Sequence, residues 1–268
     1  MKNRFYKKKI LELRNRTDVG IVKCKNALEQ ADYNIEKAVE ILRNSGFLQA
    51  EKKFIRPTKE GVILTKISES KDFGTILEIN CETDFASREK NFLIFSKKIV
   101  NFIIKNRLYK EKKIREIFEE ERRKLIFQLS ENINIRRISI LKGNYISTYL
   151  HNKRIGVILS SDIEDTRFSK EIAMHIAASK PKYLDTFAIP KEVLKKETHI
   201  QKKIAKKLRK NQKITKKIVE GKVKKFSYSI SLMKQPFIMN TNKTVGDILE
   251  EKKKKIYEFI RFELGEYT

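Results

Sequence analysis

The stretch "INCETDF", Ile79 to Phe85, sets an acidic and an aromatic side chain together where an alternating apolar segment stops and a long amphipathic run begins. Two kinds of chemistry suit Asp84 and Phe85 at such a corner. A carboxylate at a helix start can accept hydrogen bonds from the first free backbone N–H groups while the neighbouring apolar residue folds back on the helix. The other arrangement presents the ring outward as a wedge with a carboxylate beside it, like the aromatic anchors that dominate protein interfaces. Spacing does not choose between them. The remaining chemistry-bearing residues are sparse. His151, His175 and His199 lie in unrelated segments, and the sequence contains no GxGxxG or GxxxxGK[ST] phosphate loop, no GxSxG and no HExxH. His175, on the amphipathic run "EIAMHIAASK", reads as a packed helix residue and His199 as a solvated one. His151, in the loop "YLHNKRIG" before a strand, is placed for presentation to a partner. Cys24 and Cys81 lie in different segments without CxxC or Cys/His spacing, so neither a disulfide framework nor a zinc site is indicated.

The elements that must position these residues can be read from periodicity. Ile35, Ala38, Val39 and Leu42 recur at helical spacing, with Asn34 as N-cap and Gly46 just past the end. Ile21, Cys24, Leu28 and Ala31 form an earlier stripe, with Thr17 and Asp18 as capping candidates, so the first fifty residues read as a three-helix unit with Cys24 in its core. "GVILTKIS" and "FGTILEINC", separated by "ESKD", predict a β-hairpin in which Leu77, Ile79 and Cys81 share one face. Phe92, Phe95, Ile99 and Phe102 mark the helix that follows. A weak internal repeat lays "FGTILEIN…FASREKNFLIFSKKIV" beside "RIGVILSSD…TRFSKEIAMHIAASK", with Gly74 on Gly156 and Leu77 on Leu159. Between them "EIFEEERRKLIFQLSENINIRRISIL" supplies a helix and a strand. From Pro190 to Phe226, Val193, Ile200 and Ile204 against Ile214, Ile218 and Val219 predict two antiparallel helices turning near Lys210–Gln212. "FSYSISLMKQPFI" then reads as strand, and "TVGDILEEKKKKIYEFIRFELG" as a helix and a last strand.

The expected fold is therefore α+β: a three-helix module and connector at 1–54, a two-part core with small antiparallel sheets at 55–143 and 144–268, and a protruding helical hairpin at 190–226 interrupting the second half. With 268 residues, two or three modest cores are expected rather than one. The formal net charge of +27 would ordinarily direct attention to a polyanion. The excess is mostly Lys, however, spread along the whole chain beside abundant Ile and Asn, a pattern that drift toward A/T-rich codons produces by itself. The basic N-terminus has no apolar core segment and nothing approaches the ~18 apolar residues of a membrane span, so a cytoplasmic protein without a membrane partner is expected.

"LRNRTDVGIVKCKNALEQADYNIEKAVEILRNSG", "NCETDF", "ENINIRR", "RIGV", "IAMHIAASKP", "VEGKVKKF", "QPFIM", "TVGDIL" and "FIRFELGE" occur in one order and at a spacing that together resemble the bacterial elongation factor Ts family over nearly the whole chain. The resemblance implies a guanine-nucleotide exchange factor for elongation factor Tu that performs no covalent chemistry, needs no cofactor and meets GDP and GTP only through its partner. It also implies that the N-terminal module is ubiquitin-associated-like and that the hairpin is a coiled coil. The family's site for dislodging the partner's Mg²⁺ falls on Thr83, Asp84, Phe85 and Ala86. His151 matches a further contact position, and the N-terminal module would grip the GTPase through the segment holding Arg16, Thr17, Val19, Gly20 and Ile21. Here "RTDVGIVKCK" replaces the family's more usual Gly-Ala-Gly-Met run, and the terminal helical extension of some members is expected to be missing after "FELGEYT". The competing reading is a basic RNA- or ribosome-binding protein acting through the lysine-rich hairpin, although aromatic interleaving is poor there and no RNA-binding signature appears. No specific nucleic-acid partner is expected.

Overall fold

The computed structural model describes residues 2–17, 19–53, 55–206 and 211–266, with side chains except at 2–4 and 46–52. The fold is α+β, and the chain divides into two units: Met1–Leu64, Ile76–Ser139 and Phe262–Thr268 form one, Thr65–Thr75 and Ile140–Arg261 the other.

The first unit begins with helices α1 (Lys2–Thr17), α2 (Ile21–Gln30) and α3 (Ile35–Lys53). Asn34 caps α3 as expected, its Oδ1 accepting from Lys37 N at 3.1 Å. Cys24, Ala27, Leu28, Ala31, Ala38 and Leu42 are buried in the module's core. Three expectations need correction. Ile21 is 49% exposed, because the inward stripe of α2 begins only at Cys24. Thr17 ends α1 rather than capping α2: its hydroxyl donates to Leu13 O, and α2 is capped by Gly20 without a side-chain bond. Asp18 lies outside the described residues. The helix α3 also runs through Gly46 to Lys53. A glycine inside a helix is disfavoured by only about 1 kcal/mol relative to Ala, and the stronger breaker, Pro57, comes later.

Strands β1 (Glu60–Ile67) and β2 (Phe73–Cys81) follow, then helices α4 (Asp84–Arg88), α5 (Lys90–Asn106) and α6 (Glu111–Leu129) and strand β3 (Asn134–Lys142), the sheet having the order β1-β2-β3. A Cβ at Gly61 would fall on the carbonyl oxygen of Ile79, so only glycine allows this close passage of β1 over β2. The central strand β2 is buried along both faces, not only at Leu77, Ile79 and Cys81. Glu78 on its other face is fully buried and accepts from Arg136 Nη1 at 2.7 Å, Arg137 Nε at 2.6 Å and Gly265 N at 3.0 Å. Burial pushes this carboxyl's pKa up, but the Gly265 N–H and the two guanidiniums outweigh it and hold the value below the ordinary range. Phe92, Phe95, Ile99 and Ile103 form the inner face of α5, each such side chain contributing about 1.5–3 kcal/mol of burial, and Phe118 of α6 meets Phe95 and Phe102 edge-on.

In the second unit β4 (Tyr145–His151) pairs antiparallel with β5 (Ile155–Ser161), helix α7 (Thr166–Ser179) follows, and α8 (Lys191–Lys206) and α9 (Gln212–Ser229) form the helical hairpin. Then come short strands β6 (Pro236–Phe237) and β7 (Asn240–Thr244), α10 (Val245–Glu251) with a Thr244–Asp247 capping box, and β8 (Ile256–Glu263). The second sheet has the order β4-β5-β8. Each three-stranded sheet thus has a hairpin whose second strand is central, a helical segment after it, and a later strand returning to the central one, which gives the weak sequence repeat a structural counterpart. Val157, Leu159, Ile163, Phe168, Ile172 and Ile176 lie in this unit's core.

The hairpin seam matches the expected one in part: Val219 is buried and Val193 and Ile218 are half-buried. Ala205 and Val219 are buried among the described residues of α8 and α9, whereas Ile200, Ile204 and Ile214 are 41%, 52% and 49% exposed. The expected turn lies partly outside the described residues. "FSYS" is the last turn of α9 and not a strand, since Val219, Val223, Phe226 and Ile230 keep one helical face; within "FSYSISLMKQPFI" Pro236–Phe237 forms a strand and Ser231 makes an isolated parallel bridge with Tyr183.

Candidate functional site

The corner is built from the end of β2 upward. Thr83, in extended conformation, is the N-cap of α4, and its Oγ1 accepts from Ala86 N at 3.3 Å. Asp84 is therefore the first helical residue rather than the cap, and its carboxylate pairs with Arg88 one turn on at 2.9 Å. Ala86 is buried, which fixes α4 by its inner side, while Phe85 points away at 80% exposure. The fold-back arrangement is excluded for this ring. At Glu89 the backbone turns extended and its carboxylate caps α5, accepting from Asn91 N and Phe92 N, so α4 stays a single short turn distinct from α5. The Cys81 thiol donates to Thr83 O at 3.1 Å, and burial, then the carboxylates of Glu131 and Glu60, push its pKa up to about 12. It is a packing residue and not a nucleophile.

A residue that sequence reasoning missed braces this corner. Glu131 Oε2 accepts from Glu82 N at 3.1 Å and Thr83 N at 3.0 Å, and its Oε1 accepts from Thr83 Oγ1 at 2.6 Å. The brace is reciprocal, for Glu82 Oε1 accepts from Asn132 N at 2.7 Å.

In the N-terminal module, Arg16 is engaged with Glu36 at 2.6 Å and with Glu12 at 3.7 Å. Val19 is 3% exposed and packs in the module's core. Gly20 has open space where a Cβ would be. The outward residues are Ile21 and Val22, the latter 71% exposed. A helical projection starting from the inward Cys24 places Val22 about 200° away, so this signal was available in the sequence. The module and the corner share an anchor at the end of α6. Gln128 Nε2 donates to Thr17 O at 2.9 Å, and Lys23 Nζ donates to Phe127 O at 3.0 Å and Ser130 Oγ at 2.7 Å. Glu131 and Asn132 follow directly.

His151 belongs to the other unit. It is the exposed last residue of β4, not a loop residue, and pairs with Ile155 across a tight turn in which Asn152 and Lys153 have φ of 49° and 56°. Two successive left-handed residues are what a type I′ hairpin turn needs. The imidazole stacks on Tyr149 with ring centroids 6.3 Å apart, and its Nδ1 lies 3.3 Å from the Tyr149 hydroxyl. His175, by contrast, is fully buried, its Nε2 3.0 Å from Gln235 Oε1.

The described features are a presented aromatic ring on a braced corner and an exposed aliphatic pair at a helix start in one unit, and an exposed histidine at a hairpin end in the other, in a protein of the α+β class. Comparison with known proteins makes the assignment specific. The family model described as Elongation factor TS matches residues 82–266, beginning at the corner itself. Elongation factor Ts of Yersinia pestis (strain Pestoides F) is 43% identical over 257 residues, covering 96% of this chain and 90% of the relative. Elongation factor Ts of Yersinia pseudotuberculosis serotype O:1b (strain IP 31758) matches to the same extent. The chain belongs to the elongation factor Ts family. No helix among the described residues is long and apolar enough to cross a membrane.

Proposed function

We infer that this protein is a cytoplasmic guanine-nucleotide exchange factor for elongation factor Tu, acting by contact and without covalent chemistry. The observation that carries the reading is the exposed Phe85 ring on an ordered strand-to-helix corner. The ring enters the partner and displaces elements near its Mg²⁺ and the nucleotide's β-phosphate, with Asp84 beside it and Thr83 and Ala86 fixing the turn. A bound Mg²⁺ neutralises phosphate charge, so its loss weakens GDP binding and lets GTP bind afterwards. The N-terminal module, residues 1–54, supplies grip through the α1–α2 junction, where the outward residues are Ile21 and Val22. His151 supplies a further contact from the core half at 144–268, and the hairpin at 190–226 adds affinity without taking part in release.

The test is release of fluorescent GDP from elongation factor Tu with and without this protein. Acceleration that saturates with the protein's concentration is expected; unchanged release would refute the reading. A basic RNA-binding role is the second reading, favoured by the excess of lysine over glutamate in α8 and α9. It predicts RNA affinity falling steeply with log[salt], and a shallow slope would remove it.

A further inference from the structure

We propose that Glu131 is the positioning residue of the exchange site, holding the Thr83–Phe85 corner in one place relative to the helical module. The proposal rests on the exchange-factor reading above. Its support is geometric. The N–H groups of Glu82 and Thr83 fall between the end of β2 and the first turn of α4, where regular secondary structure offers them no obligatory acceptor. One Glu131 carboxylate oxygen takes both, and the other takes the Thr83 hydroxyl at 2.6 Å, while that hydroxyl oxygen receives Ala86 N. The Glu131 side chain thereby fixes the residue that caps α4, and so the direction in which Phe85 leaves the backbone.

The other end of the brace is equally defined. Ser130 closes α6 in a left-handed conformation, φ 59° and ψ 20°, which turns the chain so that Glu131 faces the corner. The helix turn just before it carries Phe127, 6% exposed, in the core of the helical module, together with the Gln128 and Lys23 hydrogen bonds to the same region. Residues 127–132 therefore join the module to the corner through one short segment hydrogen-bonded at both ends. Glu131 is only half-buried, so water can satisfy the corner's donors if the carboxylate is removed. Water satisfies but does not position. Loss of Glu131 should accordingly leave folding nearly intact and loosen the placement of the ring.

The experiment measures methylanthraniloyl-GDP release from elongation factor Tu for the wild type, Glu131→Ala, Glu131→Gln, Phe85→Ala and the Phe85→Ala/Glu131→Ala double variant. Maximal release rate and half-saturating concentration are resolved separately, because a loosened wedge affects the transition state while the module's uniform grip sets the latter. Glu131→Ala should lower the maximal rate severalfold and by no more than Phe85→Ala does, with the half-saturating concentration changed less than about threefold and thermal melting still cooperative. Glu131→Gln, whose amide oxygen still accepts from the two N–H groups, should recover part of the loss. The double variant should be no slower than Phe85→Ala within about twofold, since a residue acting through the ring has nothing to act on once the ring is gone. Wild-type rates in Glu131→Ala with Phe85→Ala impaired, or losses that multiply in the double variant, would overturn the proposal alone. A wild type that releases no GDP would overturn the exchange reading and the proposal with it. Should Glu131→Ala fail to fold, the same comparison with Glu131→Gln decides.

Discussion

Replacing Phe85 by Ala separates packing from function because the structure leaves so little packing to lose. The ring is 80% exposed, so about one fifth of the ~1.5–3 kcal/mol of a fully buried Phe, roughly 0.3–0.6 kcal/mol, is at stake in the free protein. Ala is the better helix former by about 0.5 kcal/mol within α4, which offsets the loss. The melting temperature should move by no more than about 2 °C. If the remaining four fifths become buried in the partner during release, deletion removes about 1.2–2.4 kcal/mol, or roughly 7- to 50-fold in rate at ~1.4 kcal/mol per decade. Stopped-flow release of fluorescent GDP gives the rate, and calorimetric melting gives the stability. Asp84→Ala should do less, because its pair with Arg88 is solvent-exposed and such pairs contribute about 0–1 kcal/mol. A large drop in melting temperature with normal release from the folded fraction would refute the reasoning, since it would mean that Phe85 serves the fold.

Three further outcomes are expected. Excising about Pro190 to Lys225 and closing the gap with a short linker should leave a cooperatively melting protein that still releases nucleotide, since Ala205 and Val219 are the only buried residues among the described ones of α8 and α9; loss of cooperative melting would show that the hairpin belongs to the core. Burial lowers the pKa of His175 below its ordinary 6.5 despite the opposing hydrogen bond to Gln235. The unfolded chain therefore binds the proton first, and stability in urea should fall by up to about 1.4 kcal/mol per pH unit as pH drops below 6.5, a slope that His175→Gln should flatten. Finally, if the protein weakens GDP binding to elongation factor Tu, GDP must weaken its own binding by the same factor, and Mg²⁺ should strengthen that effect; calorimetric affinities that ignore GDP would end the exchange reading, and ones that respond to GDP but not Mg²⁺ would end the proposed role of the corner.

What the sequence made legible was local and periodic. The stripes at Cys24–Leu28, Ala38–Leu42 and Phe92–Ile99 fix which helix faces are buried, and the Asn34 cap was read from residue type alone. Errors came where two periods compete. Phe226, Tyr228, Ile230 and Leu232 alternate like a strand, yet Val219, Val223, Phe226 and Ile230 also share a helix face, and continuation of α9 wins because the helix is already formed on the preceding turns. Ile21 matched the α2 stripe by spacing but sits in the first turn, beyond the reach of the core. At the corner, capping chemistry was visible in "TDF", but the side on which Phe85 emerges depends on Thr83 rather than Asp84 taking the cap, and hence on Glu131, 48 residues away. No local pattern encodes a contact of that separation.

If the corner acts on a partner as proposed, the same long-range brace is what equips it to do so. An exposed aromatic ring on a loose turn would collapse onto nearby apolar surface or lose conformational entropy on docking, and either effect subtracts from the interaction. Here the ring is kept off its own core by the burial of Ala86, and its backbone is held by acceptors on both sides, Thr83 Oγ1 for the first helical turn and Glu131 for the residues before it. Because the same end of α6 holds the helical module, docking of the module as proposed would bring the ring to its target with little further ordering. The proposed reading thereby divides affinity and release between two surfaces of one unit. On the proposed reading, the module supplies binding that persists through the reaction, and the corner supplies the interaction that favours the state in which GDP leaves, which is the only part of the binding energy that accelerates release.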